Sequence, residues 1–339
     1  MNKQTKKYDV FGIGNALVDK EFEVSDDFLA AHGIAKGMMS LIDESTQLRL
    51  LENMKQNFGL KKRASGGSAA NTIVAVSQFG GKTFYACKVA NDEAGEFYMN
   101  DLHAAGVVTG LNQVRCNTEG VTGKCLVMVT PDAERTMNTF LGITADFSEN
   151  ELHLDELKQA QYLYIEGYLV TSDISRAAAI KARAIAKAHG VKTAMTFSDP
   201  SMVKFFREGI NEMLGEGADV LFCNEEEITA FTGEDDLERA IVAIKPFADK
   251  LVVTLGEKGA LIVDDLTPAG RTVIAPNPVQ AIDSNGAGDM FAGAFMYGIT
   301  QGMDNATAGR LASLAASKIV TVFGARLSAD EHAQVLANL

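Results

Sequence analysis

After residue 160 the sequence alternates between short apolar segments and longer helix-like segments. We expect strands at residues 162–166, 192–197 and 219–223, with helices at 175–189 and 202–214 between them. Apolar strands that alternate with helices in this way form parallel sheets that are covered by helices on both faces. The chain is therefore predicted to be an α/β protein, a three-layer α/β/α sandwich with a central, mostly parallel sheet.

The overall composition limits the class of protein. A chain of 339 residues, of which 47% are hydrophobic and 22% charged, can bury a sizeable core, so wholesale disorder is not expected. The net charge of −13 argues against nucleic acid or an anionic membrane as a partner. Because no apolar run is long enough for a signal peptide or a membrane-spanning helix, we expect a cytoplasmic protein.

The cysteines are scattered along the chain. Cys87, Cys116, Cys125 and Cys223 include no Cys-x-x-Cys pair. This spacing is typical of reduced thiols and argues against a disulfide framework or a zinc site.

The segment 283–289 (DSNGAGD) is a run of small and polar residues that leads directly into an apolar, helix-like stretch. The first N–H groups of a helix have no partner within it, and together with the helix dipole they favour an anion. Gly286 and Gly288 leave the backbone open to a phosphate group. Asp289 would lie beside this anion, where it can accept the proton of a hydroxyl group that attacks the phosphate. A helix with an aspartate cap and glycines that serve tight packing is the alternative.

A second glycine-rich segment, Gly66-Gly67, comes shortly before Asn71 at the start of a helix of small residues. The two glycines allow a ligand to approach the backbone, and the amide of Asn71 can both donate and accept hydrogen bonds. This segment is therefore a candidate binding site for a polar ligand.

A third glycine pattern, Gly12-x-Gly14, follows the first predicted strand and suggests a dinucleotide site of the kind found in dehydrogenases. However, Leu17 occupies the position of the third glycine, and no helix-forming run follows. A nicotinamide site is therefore not favoured.

The two longer segments resemble the two signatures of the ribokinase-like (PfkB) carbohydrate kinase family. Residues 66–71 are similar to its Gly-Gly-x-x-x-Asn motif, and residues 283–289 to its Asp-Thr-x-Gly-Ala-Gly-Asp motif, with Ser284 in place of threonine. Residues 14–19 resemble the adenosine-kinase branch. The resemblance implies the sandwich predicted above plus a small β-sheet lid. We expect the large domain at residues 1–15, 44–110 and 143–339, and the lid at residues 16–43 and 111–142.

The resemblance also implies roles on the acceptor side of the site. Asp289 would be the catalytic base, beside an anion hole formed by the backbone of Gly286, Ala287 and Gly288. The phosphate acceptor would be bound by Asn15, Asp19, Gly66, Gly67 and Asn71. Arg135, in a predicted hairpin, would point at the transferred phosphate; a solvated hairpin charge is the alternative. Tyr168, just after a strand, would form a wall of the acceptor pocket or part of the core.

On the nucleotide side, Asn224 and Glu227 match the Asn-x-x-Glu motif of the family, which helps to hold Mg²⁺ through water beside the phosphates of ATP. Acidic residues that simply complement a helix dipole are the alternative. The residues that the resemblance places along ATP are Thr254, Gly256 and Gly259. It also implies a monovalent cation, such as K⁺, between Asp283 and the loop at Gly324.

The predicted function is that of an ATP-dependent kinase that transfers the γ-phosphate to a primary hydroxyl group of a nucleoside or sugar, in the manner of an adenosine kinase. A sugar kinase of the same family, acting on ribose, fructose or a keto-deoxy sugar, is one alternative. A non-catalytic protein that binds nucleotides or sugars is another. The sequence leaves open whether the chain is a monomer or a homodimer.

Overall fold

The structure is a computed structural model that describes residues 6–111, 119–265 and 270–339, so that Cys116 lies outside the described residues. The strands, in chain order, are β1 (Tyr8–Ile13), β2 (Leu17–Glu23), β3 (Met39–Leu41), β4 (Leu60–Gly66), β5 (Thr83–Ala86), β6 (Val108–Thr109), β7 (Gly123–Val129), β8 (Arg135–Phe140), β9 (Ala160–Glu166), β10 (Lys192–Thr196), β11 (Ala218–Asn224), β12 (Ala248–Thr254), β13 (Ala260–Asp264) and β14 (Arg271–Ile274).

The α-helices are α1 (Asp26–Ala31), α2 (Glu44–Asn57), α3 (Ser68–Gln78), α4 (Glu93–Ala104), α5 (Leu154–Leu157), α6 (Asp173–Ala188), α7 (Pro200–Leu214), α8 (Glu225–Thr232), α9 (Leu237–Ile244), α10 (Ala287–Thr300), α11 (Asn305–Ile319) and α12 (Ala329–Ala337). Short 3₁₀ helices lie at Gly142–Asp146, Glu149–Glu151, Gly167–Thr171, Lys245–Phe247 and Gly256–Lys258.

The larger sheet has nine strands within the described residues, in the order β14-β13-β12-β11-β10-β9-β1-β5-β6. The strands from β12 to β6 are all parallel, whereas β13 and β14 run antiparallel at one edge. This arrangement confirms the prediction of a mostly parallel central sheet. The carboxyl ends of the parallel strands meet at one edge, where ligands bind in open α/β sheets.

Two apolar cores lie on opposite faces of this sheet. In β1, Phe11 and Ile13 join the core beneath α6 and α7, whereas Val10 faces the core that includes α3, α10 and α11. Gly12 points to the second face, where an added Cβ would lie 2.5 Å from Ile73 of α3. The glycine therefore allows α3 to pack closely on β1. This close packing accounts for Gly12 without a bound dinucleotide.

The smaller sheet has the strand order β3-β8-β7-β2-β4 among the described residues. Its outer face packs against α1 and α2 through a separate apolar cluster that includes Phe22 and Met54. We call this sheet with its two helices the lid. Strand β4 belongs to it, although the sequence-based boundaries placed residues 44–110 in the large domain.

Most helices begin at a polar side chain that accepts a hydrogen bond from the first turn. Asp43 caps α2, Asp92 caps α4 and Asp304 caps α11 in this way. Helices α3 and α10 differ, because their N-caps are Gly67 and Gly286, at φ values of 97° and 76°. These two helix starts lie beneath the lid.

Cys87, Cys125 and Cys223 are buried, and no disulfide joins them. In the part of the chain that the structure describes, no helix combines the length and the apolar character needed to cross a bilayer.

Candidate active site

A cleft with about 780 Å³ of space lies between the lid and the carboxyl edge of the larger sheet. The starts of α3 and α10 form its floor, and the inner face of the lid forms its roof. Its lining includes ten of the residues predicted from the sequence: Asn15, Asp19, Gly67, Asn71, Arg135, Tyr168, Gly286, Ala287, Gly288 and Asp289. The structure therefore brings the two glycine-rich segments together with the segment that follows β1.

The start of α10 has no side-chain cap, although the N–H of Ala287 donates to the carbonyl of Ser284 at 3.3 Å. Gly286 takes up a left-handed conformation and provides no side chain to occupy the first-turn N–H groups. An added Cβ at Gly286 would lie 2.6 Å from the Cα atom of Ala325, whereas one at Gly288 would meet no atom within 4 Å. Gly286 is thus required by conformation and close packing, and Gly288 leaves open space beside the helix start.

Two hydrogen bonds from α3 fix the carboxylate of Asp289. The Oγ atom of Ser68 donates to Oδ1 at 2.6 Å, and Nδ2 of Asn71 donates to Oδ2 at 3.0 Å. Burial raises the pKa of Asp289 above its ordinary value, while these two bonds and the charges of Arg135 and Arg326 oppose the rise. A carboxylate with a raised pKa is a better proton acceptor than a free aspartate.

Arg326 orients the amide of Asn71, a role that sequence reasoning missed. Its Nε atom donates to Oδ1 of Asn71 at 3.0 Å, and its Nη1 atom forms an ion pair of 2.9 Å with Asp101. Since Arg326 can only donate, the Oδ1 atom of Asn71 must face it, and Nδ2 must face Asp289. The nearby Gly324-Ala325-Arg326 segment had suggested only a cation-binding loop.

On the acceptor side, Asp19 of β2 is 7% exposed and lies on the inner face of the lid. Burial, followed by the charge of Glu21, raises the pKa of Asp19 well above its ordinary value. An added Cβ at Gly66 would overlap the Asp19 carboxylate, and one at Gly67 would overlap the Asn15 carbonyl oxygen. These glycines therefore allow the segment before α3 to lie against the segment after β1.

Glu166 joins the same two segments, and sequence reasoning gave it no role. It ends β9 and is fully buried; its Oε1 accepts from the N–H of Asn15 at 2.6 Å and its Oε2 from that of Ala69 at 2.7 Å. Burial raises the pKa of Glu166 to about 8, although both N–H donors oppose the rise. A carboxyl side chain at the end of a buried parallel strand was the available signal.

Arg135 extends from β8 into the cleft. Its Nη1 atom lies 3.5 Å from the sulfur of Met137. Burial raises the pKa of both Asp283 and Asp289, and the positive charge of Arg135 opposes this rise. At the hairpin before β8, the carbonyl of Ala133 accepts a hydrogen bond of 3.1 Å from the N–H of Ser284. The lid thus contacts the loop that precedes α10 directly.

Asn224 and Glu227 form a reciprocal cap at the start of α8. The Oδ1 atom of Asn224 accepts from the N–H of Glu227 at 2.7 Å, and Oε2 of Glu227 accepts from the N–H of Asn224 at 2.9 Å. Burial raises the pKa of Glu227 to about 8, and the charge of Asp199 adds to the rise. Asp199, which sequence reasoning missed, also accepts a hydrogen bond of 3.4 Å from the hydroxyl of Tyr168.

Within the described residues, no cluster of three histidine, cysteine or acidic side chains is arranged to hold a metal. The two buried carboxylates of Asp199 and Glu227 nevertheless fit Mg²⁺ held through water, because Mg²⁺ keeps several waters and takes few protein ligands.

Thr254, Gly256 and Gly259 do not line the cleft but lie next to the start of α8. Thr254 is paired with Asn224 at the ends of the neighbouring strands β12 and β11. Gly256 begins a 3₁₀ turn and Gly259 follows it, and the ammonium of Lys258 in this turn lies 3.9 Å from the carboxylate of Glu225. The residues predicted to contact ATP thus lie together next to the start of α8 and outside the cleft, and we call them the shelf.

Asp283 and Gly324, the predicted cation site, are joined by a hydrogen bond. The N–H of Gly324 donates to Oδ2 of Asp283 at 2.8 Å, and the N–H of Asn285 donates to Oδ1 at 2.8 Å. The ammonium of Lys62 donates to the carbonyls of Phe323 and Arg326 at 3.0 and 3.1 Å. Because the ammonium of Lys62 already occupies the position between these two carbonyls, the arrangement does not fit a bound K⁺ at that position.

Comparisons with known proteins show which chains are similar to this one. A profile of the family described as pfkB family carbohydrate kinase matches residues 29–332. The chain is 29% identical over 309 residues to adenosine kinase of Saccharomyces cerevisiae, a match that covers 86% of this chain and 88% of that protein.

Two solved structures share the whole fold. A probable sugar kinase from Rhizobium etli has a TM-score of 0.89 and 32% identity, covering 98% of this chain and 100% of that chain. Adenosine kinase from Sinorhizobium meliloti has a TM-score of 0.88 and 34% identity, covering 97% of this chain and 99% of that chain. The likeness therefore extends over both sheets and the cleft between them.

Proposed function

Because the chain belongs to the pfkB family of carbohydrate kinases, we propose that it transfers the γ-phosphate of ATP to a primary hydroxyl group of a nucleoside bound under the lid. The protein is a phosphotransferase with a hydroxyl acceptor. Kinases of this family use ATP, typically with Mg²⁺. The identity of the acceptor and the roles of individual residues are the substance of the proposal.

The observation that carries it is the position of Asp289 in the first turn of α10, held by Ser68 and Asn71. A hydroxyl group has a pKa far above that of an aspartate, so Asp289 accepts its proton late, as the new O–P bond forms. The backbone N–H groups at residues 286–288 and the guanidinium of Arg135 stabilise charge on the transferred group. Acceleration comes mainly from these donors and from alignment.

The acceptor contacts combine polar and apolar surfaces. Asn15, Asp19 and Asn71 supply acceptors and donors for the hydroxyl groups of a ribose, and Glu166 holds the segments that carry Asn15 and Ser68. The lid adds an apolar wall to the cleft that consists of Leu17, Met39, Met137 and Leu141. A nucleobase would bury its faces against this wall, whereas a free sugar would leave the apolar wall exposed to water. Likeness to two adenosine kinases supports adenosine as the acceptor.

ATP lies, in this proposal, on the shelf formed by Thr254, Gly256 and Gly259. Its phosphates point towards the start of α10. Asn224 keeps Glu227 oriented. Glu227 and Asp199 would hold Mg²⁺ through water. When bound, Mg²⁺ neutralises charge on the phosphates and keeps them aligned for transfer.

A sugar kinase acting on ribose, fructose or a keto-deoxy sugar is the second candidate. The polar group of Asn15, Asp19 and Asn71 binds hydroxyl groups whether or not a base is attached to the sugar. The likeness to a probable sugar kinase favours this candidate. A binding protein without turnover is not favoured, because such a protein has no need of a fixed carboxylate beside the phosphate site.

The test is transfer of labelled phosphate from ATP to a panel of acceptors: adenosine, other nucleosides, ribose, fructose and a keto-deoxy sugar. We expect kcat/KM for adenosine to exceed that for any free sugar by about 100-fold, the effect of a buried base on transition-state binding. A sugar as the best acceptor would favour the second candidate. Transfer to no acceptor would contradict the kinase assignment for this site.

A further inference from the structure

We propose that the ammonium of Lys62 acts as a tethered cation that positions the loop at residues 323–326. Through this loop it positions the start of α10, so that the protein needs no added monovalent cation. The inference rests on the proposed phosphate site at residues 286–289. It concerns a residue of the lid that lies outside the cleft and that no sequence motif indicated.

The loop at residues 323–326 is built around this ammonium. From β4, the side chain of Lys62 reaches across to the large domain, where Nζ donates to the carbonyls of Phe323 and Arg326. An added Cβ at Gly324 would lie 2.6 Å from Nζ, and Gly324 has a φ of +96°. The backbone conformation favours glycine at this position, and the absence of a side chain leaves room for Lys62.

Negative charge is concentrated beside the ammonium. The carboxyl groups of Asp283 and Glu21 are both buried, at 0% and 1% exposure. Burial raises the pKa of Glu21 to about 7, with a further rise from Asp283, whereas the charge of Lys62 opposes the rise at both residues. Since isolated buried carboxylates are costly, a nearby cation favours their charged forms.

This cation is connected to the proposed phosphate site by a short series of contacts. Lys62 holds the carbonyls of the loop, and the loop presents the N–H of Gly324 to Asp283. Asp283 in turn accepts from the N–H of Asn285. On the same loop, Ala325 packs against Gly286, the residue that begins α10. Lys62 is therefore a positioning residue for the backbone donors of the anion hole.

A tethered ammonium and a free cation differ in a way that can be measured. Lysine presents three donors from a fixed point of the chain, and its presence does not depend on the salt in the buffer. A bound K⁺ would need several oxygen ligands, but here the ammonium of Lys62 already occupies the position between the carbonyls of Phe323 and Arg326. The protein should therefore be insensitive to the choice of monovalent cation at constant ionic strength.

The first test is the rate of phosphoryl transfer by the unmodified protein in buffers that differ only in K⁺, Na⁺ or tetramethylammonium. We expect the rates to agree within about twofold, since only screening remains. Activation by K⁺ of about tenfold or more would overturn the inference. This measurement requires no variant, so it tests the requirement for a monovalent cation even if substitutions at position 62 fold poorly.

The second test is Lys62→Ala, with Lys20→Ala on the neighbouring strand β2 as a matched control. We expect Lys62→Ala to lower kcat by about tenfold or more, the effect of misplaced anion-hole donors. Ammonium, methylammonium or K⁺ should restore part of the loss in a saturable manner, whereas Lys20→Ala should be insensitive to all three. A merely structural role would give no such rescue.

A readout that is independent of activity separates this inference from the proposed function. The melting temperature of Lys62→Ala should rise with K⁺ or ammonium relative to tetramethylammonium, because a ligand that binds the folded state stabilises it. The unmodified protein and Lys20→Ala should show no such difference. If this shift appears but no acceptor is phosphorylated, only the kinase assignment fails. If transfer occurs but Lys62→Ala shows neither loss nor cation-dependent melting, only the role of Lys62 fails.

Discussion

Ser68 donates a hydrogen bond of 2.6 Å to Asp289, a residue 221 positions away in the sequence. The two side chains belong to the first turns of α3 and α10, which pack side by side beneath the lid. Asn71, one turn further along α3, donates to the other carboxylate oxygen. The orientation of Asp289 is therefore set by the neighbouring helix and not by its own.

Removing the hydroxyl of Ser68 should change the proton affinity of Asp289. The bond from Ser68 lowers the pKa of Asp289, so Ser68→Ala raises that pKa. We expect the acid limb of the pH profile of kcat/KM to move upward by about half a unit to one unit, with kcat at neutral pH reduced about threefold to tenfold. Ser68→Thr, which keeps a hydroxyl, is the control. An acid limb that stays in place would show that Ser68 does not influence the base.

Replacing Asp289 itself by Asn should nearly abolish transfer, because the amide cannot accept the proton. We expect kcat to fall at least about 100-fold while the Kd for ATP, measured by calorimetry, changes less than about threefold. Asp27→Asn, in the exposed first turn of α1, is a matched control that should leave both quantities unchanged. Substantial turnover by Asp289→Asn would mean that another group takes the proton.

The sequence was sufficient to predict the elements whose signals are local. The parallel sheet, α3 and α10 follow from apolar alternation, small residues and glycines. The observed bounds of β9, β10, β11, α6 and α7 differ from the expected ones by at most two residues. Strand β4 was not predicted, because Lys61, Lys62 and Arg63 replace the expected apolar alternation. Charged residues of this kind are common in strands at the edge of a sheet.

The parts of the site that escaped prediction depend on contacts between distant segments. Glu166 receives its two N–H donors from residues 151 and 97 positions away. Asp199 likewise contacts Tyr168, and Arg326 contacts Asn71. No spacing in the sequence predicts these two contacts. Pattern analysis identifies the residue types at a strand end or helix start, but tertiary packing decides which of them converge.

The buried carboxyl group of Glu166 should make stability depend on pH. Its pKa is about 8 in the folded protein and 4.5 for the ordinary side chain, so the unfolded chain binds fewer protons between these values. The free energy of unfolding therefore falls as pH rises through this window. We expect the melting temperature of Glu166→Gln to fall less between about pH 5 and pH 8 than that of the unmodified protein. Glu208→Gln, on the surface of α7, should follow the unmodified protein; parallel curves for all three would contradict the expectation.

Asp199 and Glu227 should together govern the requirement for Mg²⁺. Asp199→Asn and Glu227→Gln both keep groups that cap helices, so folding should be preserved while negative charge is lost. We expect each change to raise the Mg²⁺ concentration at half-maximal rate by about tenfold. Glu226→Gln, the exposed neighbour that pairs with Lys204, is the control. An unchanged Mg²⁺ titration in the double variant would place the metal elsewhere.

An added methyl group at Gly66 should weaken binding of the acceptor and leave binding of ATP unchanged. The new Cβ would overlap the Asp19 carboxylate, whereas at Gly59 it would meet no atom within 4 Å. We expect Gly66→Ala to raise KM for the acceptor about tenfold or more with KM for ATP unchanged, and Gly59→Ala to change neither. Equal effects on both substrates would indicate general disruption in place of a displaced Asp19.

At two places the chain passes between the two sheets through residues that we propose bind the acceptor. Strand β1 ends at Ile13 and β2 begins at Leu17, while β4 ends at Gly66 and α3 begins at Ser68. A rotation of the small sheet that bends the chain at Asn15 and Gly67 would carry Asp19 away from Asn71. In the proposed function, release of the phosphorylated product would then open its own binding site, and part of the affinity for each new acceptor would be consumed in closing that site again.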